Sequence, residues 1–207
     1  MQKIGEMDSE KRFQRQLDFI LEVDKLKHVL REAYLIDHSR RENDAEHSWH
    51  ISLMAVLLAE YAETPDLDLL RVVKMLLIHD LVEIDAGDTF AFDEKRTEDK
   101  AERESRAAER IFSLLPDDQA EQFRALWEEF ESSETPEARF ALSVDRIHPM
   151  IHNYFTQGRT WRKYGVKSSQ VLARAESISR GSEMLGQQAK ELILDAEKRG
   201  YFSDEPK

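Results

Sequence analysis

The sequence predicts an all-α protein that folds as a single domain. Apolar residues recur at helical spacing along most of the 207 residues, and no segment alternates strictly between apolar and polar residues as a half-buried strand does. No internal repeat and no low-complexity linker divides the chain. We therefore expect one helical bundle over residues 1–207, with a core at about residues 15–185 and a polar tail at 203–207.

The first half of the chain predicts three helices. Apolar spacing indicates a helix over about residues 13–30, and a second helix begins near residue 45 and ends near 61. Thr64-Pro65-Asp66 separates it from the third, because proline and an acidic residue suit the first turn of a helix. The third helix carries the pair His79-Asp80, and Gly87 ends it.

The second half continues in the same manner after an irregular segment at residues 89–97. A charged helix is predicted over 100–115, and Pro116 and Pro136 each open a further helix. Two glycines flank a predicted loop at 158–165, and one or two helices complete the domain.

Composition and charge restrict the possible partners. The formal net charge of −12 repels polyanions, so we expect no nucleic-acid polymer as a partner, although a small phosphate ester is compatible. The absence of cysteine excludes disulfides and thiolate metal sites. No apolar run approaches the ~20 residues of a membrane span, and residues 1–16 lack the apolar core of a signal peptide. We expect a cytoplasmic protein without a membrane partner.

Polar residues interrupt the predicted apolar helices at positions 46–50, 79–83 and 145–146. A lone histidine on an apolar face is most often a satisfied core residue, and Asp145 beside Arg146 could be a simple ion pair. However, several ionisable residues at buried-looking positions need a common partner, because an unpaired buried charge is costly. Imidazoles and carboxylates together favour a divalent metal.

Four residues are the predicted metal ligands, namely His47, His79, Asp80 and Asp145. Neighbouring residues on a helix point about 100° apart, so His79 and Asp80 would flank one ion while the other two approach from adjacent helices. A six-coordinate ion would keep two positions for water or substrate, as catalytic metals do. The ligand set suits one Mn, Fe, Co, Ni or Zn ion, and suits Mg less well.

The pattern H…HD…D formed by these four residues resembles the signature of the HD-domain metal-dependent phosphohydrolases. The flanking segments "RENDAEHS" at 41–48 and "HDLVEIDAGD" at 79–88 resemble the HD-type 5′-deoxynucleotidases, and "LKHVLR" at 26–31 resembles their phosphate-binding segment. The resemblance implies an all-α bundle with the metal at its centre. It also implies that Glu83 and Asp88 form the catalytic acid/base pair and that Arg31 contacts the substrate phosphate.

The positions of the two carboxylates agree with those roles. Glu83 follows His79 by four residues, which places it on the same face of a continuous helix. Asp88 follows Gly87, where the chain can turn sharply. The alternatives are a surface ion pair for Glu83 and a turn residue for Asp88. The sequence leaves open which carboxylate acts as acid and which as base.

Other polar residues near the motif are further candidates for the site. Arg41 and Asn43 are further substrate-binding candidates, although the arginine could be solvated or paired with a nearby acid. In the deoxynucleotidases a tryptophan follows the phosphate-binding arginine, whereas Glu32 stands here, so the preference between deoxyribose and ribose stays open. His148 and His152 have a spacing that can bind a second metal, but pocket lining or packing is favoured.

We therefore predict a metal-dependent phosphohydrolase that releases phosphate from (deoxy)nucleoside 5′-monophosphates. One alternative is a pyrophosphohydrolase or phosphodiesterase acting on another nucleotide, and the other is a regulatory module that binds a nucleotide or metal without turnover. The expected partner is a small phosphate ester. A homodimer is also possible, with aromatic residues such as Phe155, Trp161 and Tyr164 at its interface or in the core.

Overall fold

The computed structural model describes residues 6–93 and 99–202, and this part of the chain is mainly helical. The predicted tail and part of the predicted irregular segment lie outside the described residues. The α-helices are α1 (Glu6–Val23), α2 (Asp44–Leu58), α3 (Leu69–Ile78), α4 (Glu83–Ala86), α5 (Lys100–Phe112), α6 (Asp117–Ser132), α7 (Pro136–Phe155), α8 (Arg159–Lys163), α9 (Ser168–Ala175) and α10 (Glu183–Lys198). Short 3₁₀ segments span Asp24–His28, Ala59–Tyr61, His79–Val82 and Ile178–Arg180.

An antiparallel hairpin between α1 and α2 contradicts the expectation that the chain forms no strand. The strand β1 (Leu30–Tyr34) pairs with β2 (Arg41–Asn43), and a register irregularity interrupts the pairing. The side chain of Arg41 reaches across the hairpin, where its Nη2 donates to the carbonyl oxygen of Leu30 at 2.6 Å. Strands this short, with an irregular register, give too little alternation for a sequence pattern to reveal them. The first helix therefore ends at Val23 and not near residue 30.

The core lies around α7, which packs against α2, α3 and α10. Fully buried residues of these helices share one apolar cluster, which includes Ile51, Met75, Phe140, Val144 and Ile193. A second cluster lies beneath α5, α6 and the segment 79–86. The predicted loop at 158–165 contains the short helix α8, and its Trp161 is buried, with its ring stacked on Phe202 at a centroid distance of 4.4 Å. Trp161 is thus a core residue.

The helix that carries the motif is not continuous, contrary to the prediction. After α3 the chain forms a 3₁₀ segment at His79–Val82, and α4 follows it. Gly87, with φ +72°, ends α4. A 3₁₀ segment has three residues per turn, so side chains after His79 are rotated relative to their places on an α-helix. Among residues 6–93 and 99–202, no helix combines the length and the apolar character that a membrane crossing requires.

Candidate active site

A cavity opens between the hairpin, the segment 79–92 and the helices α5, α6, α7 and α9. It encloses about 1250 Å³ including its mouth. Three of the four predicted ligands line it together with Glu83, Asp88 and Arg31. The remaining lining residues include the following charged or aromatic side chains: Glu32, Phe90, Phe92, Lys100, Glu104, Phe130, Glu131, Arg146, Trp161 and Arg174.

The structure brings the four predicted metal ligands together. Nε2 of His47 lies 3.0 Å from Oδ1 of Asp145 and 3.8 Å from Oδ2 of Asp80. Nε2 of His79 lies 3.0 Å from Oδ1 of Asp80 and 3.8 Å from Oδ1 of Asp145. These residues come from α2, from the 3₁₀ segment and from α7, and ligand atoms of His47, His79 and Asp80 all lie within 4.8 Å of one another. Their role as ligands stays a prediction.

The hydrogen bonds and charges around His79 indicate whether a cation fits this cluster. Its Nδ1 lies 2.9 Å from the carbonyl oxygen of Leu76, and a carbonyl only accepts, so Nδ1 carries the hydrogen. Nε2 is buried and lies 3.0 Å from Oδ1 of Asp80, so it can carry a second hydrogen or, without it, offer a lone pair to a cation. Burial lowers the pKa of His79, but Asp80 and Asp145 outweigh it and raise this pKa to about 10. The carboxylates thus attract a proton or a metal ion to the same point, and the donor set fits a divalent metal.

On the side of Nδ1, His47 contacts a chain of two further imidazoles. Its Nδ1 lies 3.2 Å from Nδ1 of His148, and Nε2 of His148 lies 3.0 Å from Nδ1 of the half-buried His50. Burial, followed by the nearby Arg31, lowers the pKa of His47 to about 4, and burial lowers the pKa of His148 as well. Neutral imidazoles are the metal-binding form of histidine, so this environment keeps His47 ready to donate a lone pair.

Arg31 lies within an acidic cluster at the cavity wall. Its Nη1 donates to Oδ2 of Asp80 at 2.8 Å and to Oδ1 of Asp44 at 3.2 Å, while its Nε lies 4.0 Å from Glu42. Burial alone would lower the pKa of this guanidinium, but Asp80, Asp88 and Asp44 raise it well above its usual value. Arg31 therefore stays charged, and carboxylates of the protein already neutralise it.

Glu83 and Asp88 both line the cavity, as the predicted acid/base pair requires. Glu83 lies in α4 after the 3₁₀ segment, and its ligand atoms cluster with those of Asp44 and Asp80, not with His79 as the continuous-helix argument suggested. Burial, followed by the charge of Asp80, raises the pKa of Glu83 well above its usual value. Burial also raises the pKa of Asp88. Both carboxyl groups can therefore hold protons more tightly than a solvated acid does.

Two predicted substrate contacts lie away from the cavity wall. Arg41 binds backbone carbonyls of β1 and pairs with Glu32 at 3.0 Å. The side chain of Asn43 accepts a hydrogen bond from the backbone of Glu46 and so caps α2. Arg41 thus stabilises the hairpin, and Asn43 stabilises the start of α2. Their assignment to substrate binding stays a prediction that the geometry does not support.

Sequence reasoning missed several residues of the site. Asp44 resembled an ordinary acidic residue at a helix start, yet it is fully buried and contacts Arg31. Lys100 resembled a surface residue of a charged helix, but it lines the cavity 3.3 Å from Glu104. Arg174 had no motif around it at all. Only the packing of β1 against α2, and of α5 and α9 against the motif, reveals these positions, so a local signal could not have identified them.

Comparison with known proteins agrees with this geometry. The family described as HD domain matches residues 23–185. The human protein named 5′-deoxynucleotidase HDDC2 is 31% identical over 136 residues, which cover 65% of this chain and 65% of the human protein. The fission yeast protein named 5′-deoxynucleotidase hdd1 is 29% identical, and the match covers 57% of this chain and 59% of that protein.

A solved structure resembles the whole fold. It is titled as a predicted metal-dependent phosphohydrolase from Magnetospirillum magnetotacticum MS-1, is 51% identical with a TM-score of 0.91, and the match covers 97% of this chain and 100% of that chain. By contrast, the chain spans about two thirds of the curated human relative. The family match over residues 23–185, with the H…HD…D cluster inside it, shows that the chain belongs to the HD domain family.

Proposed function

We propose that the protein is a metal-dependent phosphohydrolase that releases phosphate from (deoxy)nucleoside 5′-monophosphates. The observation that carries this proposal is the convergence of His47, His79, Asp80 and Asp145, three of which line a cavity together with Glu83 and Asp88. The names of the human and fission yeast relatives support the substrate class.

The four side chains would hold one divalent metal, of which Mn, Fe, Co, Ni and Zn suit the donors best. When bound, the ion supplies Lewis-acid chemistry, which makes a water molecule more acidic and polarises the phosphoryl group. Glu83 and Asp88 line the cavity and are placed to handle the protons: one accepts the proton of the attacking water, and the other donates a proton to the leaving 5′-oxygen. Burial raises the pKa of both carboxyl groups, which suits groups that bind and release protons during the reaction.

We place the substrate against the cavity wall that residues of β1 form. Within this wall, Arg31 is the proposed contact to the phosphate. Glu32 replaces the tryptophan of the deoxynucleotidases, and Lys163 at 2.8 Å and Arg41 at 3.0 Å hold its carboxylate. A carboxylate can accept a hydrogen bond from a sugar hydroxyl, and it is smaller than an indole ring. We therefore expect ribonucleotides to be hydrolysed as well as deoxyribonucleotides.

A substrate panel tests the proposal. Deoxynucleoside and nucleoside 5′-monophosphates are incubated with the protein and Mn²⁺, Co²⁺ or Mg²⁺, and free phosphate is measured. Glu83→Gln should lower the rate by about 10²–10⁴-fold with its metal content retained, because one proton-transfer group is lost. Glu109→Gln, which alters an exposed carboxyl of α5 outside the cavity wall, is the control and should change the rate by less than about threefold.

Other outcomes would refute the assignment in different ways. Bound metal with no phosphate release from any monophosphate would favour a regulatory module. Release of pyrophosphate from a nucleoside triphosphate would favour a pyrophosphohydrolase.

A homodimer stays a prediction. Exposed apolar residues lie at helical spacing on one side of α2, and they are Trp49, Leu53, Val56 and Leu57. Light scattering of the purified protein tests whether two copies associate.

A further inference from the structure

Two arginines line the cavity without a carboxylate partner. Arg146 projects from α7 and Arg174 from α9, and both belong to the cavity wall. Nη1 of Arg146 donates to the hydroxyl of Ser177, and its Nε is buried without a hydrogen-bond partner in the described part of the chain. The Arg174 guanidinium has neither a hydrogen bond nor an ion pair with any residue in 6–93 or 99–202.

This arrangement favours a bound anion. Both side chains are partly buried and belong to the wall of one cavity, so their positive charges lie near each other. The carboxylates that act on Arg146 from a distance, Asp145 and Glu131, form no ion pair with it. Two partly buried cations that face one space favour an anion between them. Because no carboxylate among residues 6–93 and 99–202 forms an ion pair with either guanidinium, both are available to an external anion.

Arg31 differs from this pair. It lies between Asp80, Asp44 and Glu42, so its charge is already balanced by the protein. The cationic groups of the cavity that still need a counter-ion are therefore at the α7–α9 wall. A guanidinium presents a planar set of donors that matches the oxygens of a phosphate group.

We propose that Arg146 and Arg174 form an oxyanion subsite that binds a phosphate group of the ligand. The identity of that ligand as a nucleotide rests on the proposed function, but the subsite itself does not. The phosphate has two possible sources. It is either the group to be hydrolysed, since Arg146 directly follows the proposed ligand Asp145, or a second phosphate on the same substrate.

Inorganic phosphate is the probe for the first experiment. Its dissociation constant is measured by calorimetry on the metal-loaded and on the metal-depleted protein, in a buffer free of sulfate. Arg174→Gln should weaken phosphate binding by about tenfold or more in both metal states, because a charge-assisted donor pair is lost. Arg199→Gln is the control, since Arg199 is an exposed arginine outside the cavity wall, and it should change the constant by less than about twofold.

The thermal midpoint of each variant shows whether it is folded, and Arg174→Lys should recover part of the lost affinity because it restores the charge but not the planar fork. Equal phosphate affinity in the wild type and Arg174→Gln, in both metal states, would overturn the proposal. So would a loss of the same size in Arg199→Gln.

Kinetics then separate the two sources. If the subsite takes the scissile phosphate, Arg174→Gln raises KM for a nucleoside 5′-monophosphate and for a 3′,5′-bisphosphate by the same factor. If it takes a second phosphate, KM for the bisphosphate rises more. Arg174-dependent phosphate binding without any hydrolysis would reject the enzyme and keep the subsite. Hydrolysis with Arg174-independent phosphate binding would reject the subsite alone.

Discussion

Replacing His148 with phenylalanine should weaken metal binding although His148 is not a proposed ligand. For His47 to offer Nε2 to a metal, its Nδ1 must carry the hydrogen and needs an acceptor. Nδ1 of His148, at 3.2 Å, can be that acceptor when Nε2 of His148, which lies 3.0 Å from Nδ1 of His50, carries the hydrogen. The chain of three imidazoles can therefore support the metal-binding tautomer of His47.

The size of the effect follows from the lost hydrogen bond. Phenylalanine fills a similar volume but leaves the buried N–H of His47 without its acceptor, which costs roughly 1–3 kcal/mol. Because the cost falls on the tautomer that binds the metal, the affinity should drop by about 10–100-fold, as expected for a residue that orients a ligand. Competition of the protein with a chromophoric chelator for Mn²⁺, Co²⁺ or Zn²⁺ measures it.

A matched variant controls for packing. His152 lies one turn further along α7, with its ring centroid 4.1 Å from that of His148, but its Nδ1 bonds to the carbonyl oxygen of Tyr34. His152→Phe should therefore change the metal affinity by less than about threefold. Nitrogen NMR of the imidazoles should also show the hydrogen of His47 on Nδ1. Unchanged metal affinity in a folded His148→Phe variant would refute the reasoning.

Two further predictions concern stability, measured by urea unfolding. Gly158 has φ +71° and an added Cβ would lie 1.7 Å from the carbonyl oxygen of Tyr201, so Gly158→Ala should cost about 2 kcal/mol or more. At Gly165, with φ +63° and open space around it, alanine should cost only about 1 kcal/mol, and equal losses at both glycines would contradict the steric argument. Hydrogen bonds from Arg71, at 3.0 and 2.8 Å, lower the pKa of Glu129 below 4.5. Their stabilisation is therefore present above about pH 4.5 and is lost as the pH falls through the lower folded pKa. Glu129→Gln should cost roughly 1 kcal/mol at pH 7 and progressively less as the pH falls below 4.5, whereas a pH-independent loss would exclude the ionic contribution.

Local patterns in the sequence determined most of the helices and the centre of the site. Helical spacing predicted α2, and prolines located the start of α6 and α7 within a residue. These signals are local because helix hydrogen bonds and caps involve residues a few positions apart. Ionisable residues inside apolar segments pointed to His47, His79, Asp80 and Asp145, because burying them without a partner is costly.

Only the tertiary structure decided which charges neutralise one another. It folded residues 30–43 into a hairpin, turned His79–Val82 into a 3₁₀ segment and enclosed Arg31 among carboxylates. It also left Arg146 and Arg174 facing the cavity. Such contacts join residues far apart in the chain, and their energy depends on distance and burial, which no local pattern of residues encodes.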